Sequence, residues 1–185
     1  MQARDIPNLI TVFRFLLVPP VVWFLLKGQF GIALILFTLA GVSDGVDGFL
    51  AKQYGWTSRL GALMDPLADK LLLVCCFITL GWLQLIPGWL VILVIARDLI
   101  IVTGAIVYHA RVERLEADPS LVSKLNTLTQ ILLVMTAMFQ QVMTGLPAGI
   151  LSVLIFFVLV TTVWSGIYYV WTWGRRAWIR SRPGS

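Results

Sequence analysis

Apolar residues fill this chain in six long runs: Asn8–Leu26, Gly31–Lys52, Arg59–Trp82, Pro87–Tyr108, Pro119–Val142 and Ala148–Trp173, with short polar stretches between them. Each run is about as long as the roughly 20 residues an α-helix needs to cross the hydrocarbon of a bilayer. The pattern predicts an all-α fold, a polytopic membrane bundle of six transmembrane helices, with residues 1–185 forming a single domain. Pro19 and Pro20 should kink the first helix, because proline removes an amide donor and crowds the preceding turn. No internal repeat is visible.

Composition sharpens this picture. Of 185 residues, 59% are hydrophobic and 12% charged, which excludes an ordinary soluble domain and gives no reason to expect a nucleic-acid partner. The net charge of +5 matters through its placement. Arg4, Lys52, Arg59, Arg111, Arg114, Lys124, Arg175, Arg176, Arg180 and Arg182 fall at one set of run ends, and Lys27 at the other. By the positive-inside rule both termini and the Lys52–Arg59 and His109–Ser123 connections face the cytoplasm. No cleavable signal peptide is apparent, and for so short a chain without a transit peptide a bacterial cytoplasmic (inner) membrane is the expected location. Adjacent Cys75 and Cys76 lack metal-site spacing and read as packing residues.

Against this background four aspartates stand out. Asp44 and Asp47 lie at i, i+3 near the end of the second run, and Asp65 and Asp69 at i, i+4 near the start of the third. A carboxylate at a membrane-helix centre costs roughly 2.5–3.5 kcal/mol, so the cluster requires compensation. A hard divalent cation such as Mg²⁺ or Mn²⁺ provides it, and two such ions could clamp a diphosphate. Gly45, Gly48 and Gly61 leave room for a ligand to approach the backbone.

Other polar positions could serve the same site. Asn8, Thr11 and Arg14 form a stripe in the cytoplasmic half of the first run. Arg97 and Asp98 are neighbours within the fourth. Adjacent helical residues do not face each other, so Arg97 is expected to reach an anion and Asp98 a partner on another helix. Arg97 and Lys124 are candidate ligands for a phosphate, and Lys52 could contribute a further charge. Trp164, Tyr168, Tyr169, Trp171 and Trp173 read as an interfacial aromatic belt, and His109–Pro119 as a solvated linker.

The stretch Asp44-Gly45-Val46-Asp47-Gly48-Phe49-Leu50-Ala51-Lys52, followed after eight residues by Gly61-x-x-x-Asp65-x-x-x-Asp69, resembles the signature of the CDP-alcohol phosphatidyltransferases, D-x-x-D-G-x-x-A-R-x₈-G-x-x-x-D-x-x-x-D. Lys52 stands where the family usually has arginine, which keeps the charge and loses the bidentate fork. Ile6-Pro7-Asn8-Leu9-Ile10-Thr11-x-x-Arg14 is similar to the amino-terminal segment of the branch making glycerol phospholipids. The resemblance implies that Asp44, Asp47 and Asp65 ligate metal, with Asp69 completing a second metal site and acting as general base. It further implies that Gly48, Ala51 and Gly61, with Lys52, Asn8 and Thr11, bind the CDP and diphosphate moiety. Two ions, CDP-diacylglycerol as donor, CMP as leaving group and a homodimeric assembly are also implied.

Two branches of the family compete for the acceptor. Ser123-Lys124-Leu125-Asn126-Thr127-x-x-Gln130 resembles the S-K-x-N-T-x-x-Q of the cardiolipin branch more than the G-K-x-K-T-x-x-Q of the phosphatidylglycerophosphate branch. Arg97-Asp98 has no second arginine later in its run. A phosphate dianion wants several cationic donors and a phosphodiester fewer, so phosphatidylglycerol is the expected acceptor and glycerol 3-phosphate the alternative. A carboxylate-lined cation or proton transporter is the remote alternative, disfavoured by the missing repeat and the one-sided acids.

Overall fold

The protein is described by a computed structural model that covers residues 6–54, 61–111, 121–143, 145, 147 and 149–180. Side chains are described for residues 12–43, 68, 70–104, 121–143, 145, 147, 149–169 and 171–172. Six helices follow one another: α1 (Ile6–Leu26), α2 (Phe30–Tyr54), α3 (Gly61–Trp82), α4 (Gly88–Arg111), α5 (Leu121–Val142) and α6 (Gly149–Arg180). Among the described residues there is no strand, as expected for an all-α chain. Two helical segments, Leu121–Val142 and Gly149–Tyr169, are long and apolar enough to cross a membrane, while Val12–Leu26, Phe30–Ser43 and Lys70–Trp82 are shorter apolar stretches.

The elements end where local chemistry stops them. Gly28, at φ 71°, closes α1: its N–H donates to Leu25 O at 3.0 Å, and the Gln29 N–H donates to Phe24 O at 2.9 Å. Those two bonds define a Schellman cap, with glycine in the left-handed position that side chains resist. The same cap ends α3, through Gln84 N–H to Gly81 O at 3.1 Å and Leu85 N–H to Leu80 O at 3.0 Å, yet here Gln84 holds the left-handed position at φ 58°. Pro87 starts α4, its carbonyl accepting from Leu90 N–H at 3.0 Å. α1 runs on through Pro19 and Pro20 as one helix. Hydroxyls inside the helices bond backwards, as Thr38 does to Leu34 O at 2.8 Å and Thr79 to Cys75 O at 2.7 Å. That arrangement hides a polar group within an apolar helix.

Two compact units emerge, Met1–Ile86 with Val134–Pro147, and Pro87–Leu133 with Ala148–Ser185. In the first, α1 packs against both α2 and α3, and α2 touches α3 over a narrow strip. The buried residues recur at helical spacing: Leu17, Val18, Val21 and Leu25 on α1; Ala33, Phe37 and Ala40 on α2; Ala68, Leu72, Cys76, Phe77 and Leu80 on α3. Gly31 lies beside Val142 from the end of α5. In the second unit α4 packs on α6, and α5 joins α6 through side-chain hydrogen bonds.

Two expectations change. His109, assigned to a linker, belongs to α4, which runs to Arg111. α6 continues past Trp173 to Arg180, with no proline between them and a single glycine, Gly174, that the helix tolerates. Arg14, in the polar stripe of the first run, is fully buried. Cys76 is buried and Cys75 half-buried, both as free thiols. The expected polar start, the connection after Tyr54, residues 112–120 of the fourth-to-fifth linker and the tail from Ser181 lie outside the described residues.

Candidate active site

Helical register places the four aspartates. On α2 the buried positions Ala33, Phe37 and Ala40 define an interior stripe, and continuing at about 100° per residue brings Asp44 and Ala51 onto its axis, with Asp47 and Gly48 flanking it on either side. On α3 the buried positions from Ala68 to Leu80 define another stripe, and Gly61, Asp65 and Asp69 fall within its width. Asp44 lies about 15 Å before the last residue of α2 and Asp69 about 12 Å after the first residue of α3. Both helices pack against α1. Their stripes are apolar where side chains are described, and the signature positions follow on the same helices.

The remaining candidates on this unit divide. Thr11 lies at the edge of the α1 stripe marked by Arg14, Leu17, Val18, Val21 and Leu25, while Asn8 and Lys52 fall about a third and a quarter of a turn off their stripes. The side chains of Asn8, Thr11, Asp44, Asp47, Gly48, Ala51, Lys52, Gly61, Asp65 and Asp69 lie outside the described set, so these assignments rest on register. Among the residues with described side chains no metal-ligating cluster occurs. The donor chemistry of the four aspartates suits a hard divalent cation, since each carboxylate supplies oxygen ligands and negative charge.

The second unit holds Arg97 in a network of described side chains. Its Nη1 donates to Asp98 Oδ1 at 2.9 Å, its Nη2 to Ser123 Oγ of α5 at 3.1 Å, and Nη2 also meets Ser165 Oγ of α6. The guanidinium carbon lies 5.9 Å from the Tyr169 ring centroid, and the aliphatic stem runs past Gly166. Arg97 and Asp98 are both buried. The expected separation of these neighbours is therefore corrected. The rule that adjacent helical residues diverge holds for Cβ directions, but arginine's long stem lets its planar head fold back to the next residue. Arg97 Nε has no partner among the described residues. Lys124, the other acceptor candidate, is exposed beside half-buried Ser123.

Tyr169 also leaves the group assigned to an aromatic belt. Trp164, Tyr168 and Trp171 are exposed, but Tyr169 is half-buried over Arg97, because consecutive helical residues point about 100° apart. Sequence reasoning missed a second network. Asn126 on α5 is buried and its Oδ1 accepts from Thr161 at 3.0 Å and from Thr162 at 2.8 Å, both on α6. Thr129 joins them, 3.1 Å from Thr161. The available signal was a run of small polar residues, Thr161, Thr162 and Ser165, inside an otherwise apolar helix.

Comparison with known proteins addresses the signature. The human cardiolipin synthase (CMP-forming) is 31% identical over 189 aligned positions, covering 92% of this chain and 62% of that protein. The chloroplastic CDP-diacylglycerol–glycerol-3-phosphate 3-phosphatidyltransferase 1 of Oryza sativa is 32% identical over 183 positions, covering 89% of this chain and 56% of that protein. The cardiolipin synthase (CMP-forming) of Streptomyces coelicolor is 36% identical over 116 positions, covering 58% of this chain and 54% of that protein. The chain thus spans less than two thirds of the length of these curated relatives. A profile of the CDP-alcohol phosphatidyltransferases matches residues 4–166, a span containing both aspartate pairs and Arg97, Asp98, Ser123 and Ser165. With the acidic signature on α2 and α3 and the match running from before α1 into α6, the chain belongs to the CDP-alcohol phosphatidyltransferase family.

Proposed function

We propose that this protein transfers the phosphatidyl group of CDP-diacylglycerol to the free hydroxyl of phosphatidylglycerol, giving cardiolipin and CMP. The observation that carries the reading is the register of Asp44, Asp47, Asp65 and Asp69 with the interior stripes of two helices that share α1 as a packing partner. Those four carboxylates would hold Mg²⁺ or Mn²⁺, two ions by family resemblance, which when bound neutralise the diphosphate and polarise the phosphorus. Asp69 takes the proton from the acceptor hydroxyl. The hydroxyl oxygen then forms a bond to the phosphatidyl phosphorus, and the bond from that phosphorus to the CMP oxygen breaks, with its electron pair leaving on CMP.

Gly48, Ala51 and Gly61, the last two in register with the aspartates and Gly48 beside them, line the CDP pocket, and Lys52, Asn8 and Thr11 meet its phosphates. Arg97, through its remaining Nε–H, and exposed Lys124 serve the acceptor phosphate. A fold that is apolar outside as well as inside supports six membrane spans: Leu16, Ile35, Ile92, Phe156 and Trp171 are all more than 60% exposed. Basic residues at one set of helix ends support a cytoplasmic active site with both termini on that side. A bacterial inner membrane, a single domain over 1–185 and a homodimer complete the proposal. Family membership favours phosphatidyl transfer over ion transport.

Phosphatidylglycerol is preferred because the S-K-x-N-T-x-x-Q segment resembles the cardiolipin branch and because Arg97, with no second arginine between it and Tyr108, suits a singly charged phosphodiester. The second reading, glycerol 3-phosphate as acceptor, is favoured by the likeness to the Oryza enzyme. Purified protein supplied with Mg²⁺ or Mn²⁺ and CDP-diacylglycerol is offered each acceptor in parallel, with CMP release and lipid mass as readouts. Cardiolipin from phosphatidylglycerol alone is the expected result. Phosphatidylglycerophosphate instead assigns the second reading, and folded protein that releases no CMP with either acceptor rejects both.

A further inference from the structure

Two carboxamides on α5 are buried without the hydrogen bonds that burial requires. Asn126 and Gln130 are each 0% exposed. Thr161 and Thr162 meet one side of the Asn126 amide, but Asn126 Nδ2 has no partner among the described residues, and neither Nε2 nor Oε1 of Gln130 has one. Turning the Asn126 amide over does not remove the mismatch. In that orientation Thr161 can give its one proton to Phe157 O at 2.8 Å and accept from the NH₂ group, and the amide oxygen is then the atom left over. Whatever partners these amides must serve donors and acceptors alike. A hydroxyl oxygen does both.

The spacing fits one such oxygen. Asn126 and Gln130 are one helical turn apart on one face, about 5–6 Å between Cβ atoms, a gap that two hydrogen bonds of about 2.8 Å to a shared oxygen can bridge. Ser123 stands on the same face one turn earlier, half-buried and hydrogen-bonded to Arg97, next to exposed Lys124. From Ser123 to Gln130 the polar column runs about 10 Å along α5. Beyond it the stripe is apolar and buried, through Leu133, Val134, Ala137 and Met138.

We propose that the Asn126–Gln130 face of α5 is a binding site for a neutral hydroxyl group, supplied by water or by a small polyol, that enters at the Ser123 end and bridges the two carboxamides. Asn126 and Gln130 lie in the segment that supports the cardiolipin reading, but the site rests on their burial and unmet hydrogen bonds and does not require phosphatidyl transfer. The amides offer no counter-charge, and a hydroxyl fills both unmet roles at once.

The test uses the full chain in detergent micelles with ¹⁵N-labelled glutamine side chains. The Gln130 amide signal is assigned by its loss in Gln130→Met, or in Gln130→Glu should the methionine variant not fold. Direct cross-relaxation between the Gln130 amide protons and water is expected. Glycerol is then added as the polyol probe. Cross-peaks that persist unshifted assign the oxygen to bound water, whereas a saturable shift with loss of the water cross-peaks assigns it to an alcohol hydroxyl. A Gln130 amide that shows neither water contact nor a glycerol-dependent shift overturns the proposal.

Discussion

Arg97 donates a 2.9 Å hydrogen bond from Nη1 to Oδ1 of Asp98, its immediate neighbour in the chain, with both side chains buried. Ser123 and Ser165 meet the other terminal nitrogen of the same guanidinium, so one side chain ties α4 to α5 and α6. Removing one member of a buried ion pair leaves an uncompensated charge, which costs about 3–5 kcal/mol. Asp98→Ala should therefore lower the stability of the purified protein by about 3 kcal/mol, read as a fall in thermal midpoint. Arg97→Leu combined with Asp98→Leu should recover a large part of that loss, because an apolar pair carries no desolvation penalty. A double variant as unstable as the sum of the singles would show that the two residues do not act as a pair.

Asp69→Asn keeps the size of the side chain and removes its capacity to accept a proton. General-base action is worth roughly 10²–10⁴ in rate. The variant should release CMP at least about 100-fold more slowly at saturating CDP-diacylglycerol, with the protein still folded by circular dichroism. Full-rate release by the variant would remove Asp69 from the chemistry.

Chelation tests the carboxylate cluster as a whole. Treatment with EDTA should abolish CMP release, and added Mg²⁺ or Mn²⁺ should restore it. Asp44→Ala and Asp65→Ala should each raise the metal concentration needed for half-maximal activity by tenfold or more, on the order of the loss of one charged ligand. Activity indifferent to chelation would contradict a metal-bridged diphosphate.

The α5–α6 link through Asn126 makes a smaller prediction. Hydrogen bonds between membrane helices average about 0.6 kcal/mol and reach about 1.7. Thr162→Val keeps the shape and removes the 2.8 Å bond to Asn126, so it should lower stability within that range. Measured unfolding in a lipid-like detergent checks it. No loss at all would mean that Asn126 finds an equivalent partner elsewhere.

The two helix caps predict opposite signs for glycine. Gln84 occupies a left-handed position at φ 58°, where a Cβ is unfavourable by about 1–2 kcal/mol. Gln84→Gly should raise stability by up to about 1 kcal/mol, less the contribution of its 3.2 Å bond to Gly81 O. Gly28→Ala should lower it by about 1 kcal/mol, although nothing lies within 4 Å of the added carbon, because the penalty is in the backbone alone. Equal and same-signed shifts in thermal midpoint would contradict the cap assignment.

The sequence by itself determined the helices and the acids. Apolar runs interrupted by Gly28, Pro87 and the charged connections mark six helices to within a few residues, save for the extra length of α4 and α6, because helix formation answers to local periodicity and local breakers. The spacing of Asp44, Asp47, Asp65 and Asp69 likewise fixes which of them share a helix face, since 3.6 residues per turn is a property of the backbone. Partnership between helices is a different matter. That Arg97 folds onto Asp98, that Tyr169 turns inward while Tyr168 stays exposed, that Arg14 is buried, and that Asn126 meets Thr161 and Thr162 while Gln130 is left unmet depended on which faces pack together. Those contacts join residues tens of positions apart, and no repeat of three or four residues encodes them. Only the tertiary structure brought those side chains within hydrogen-bonding distance.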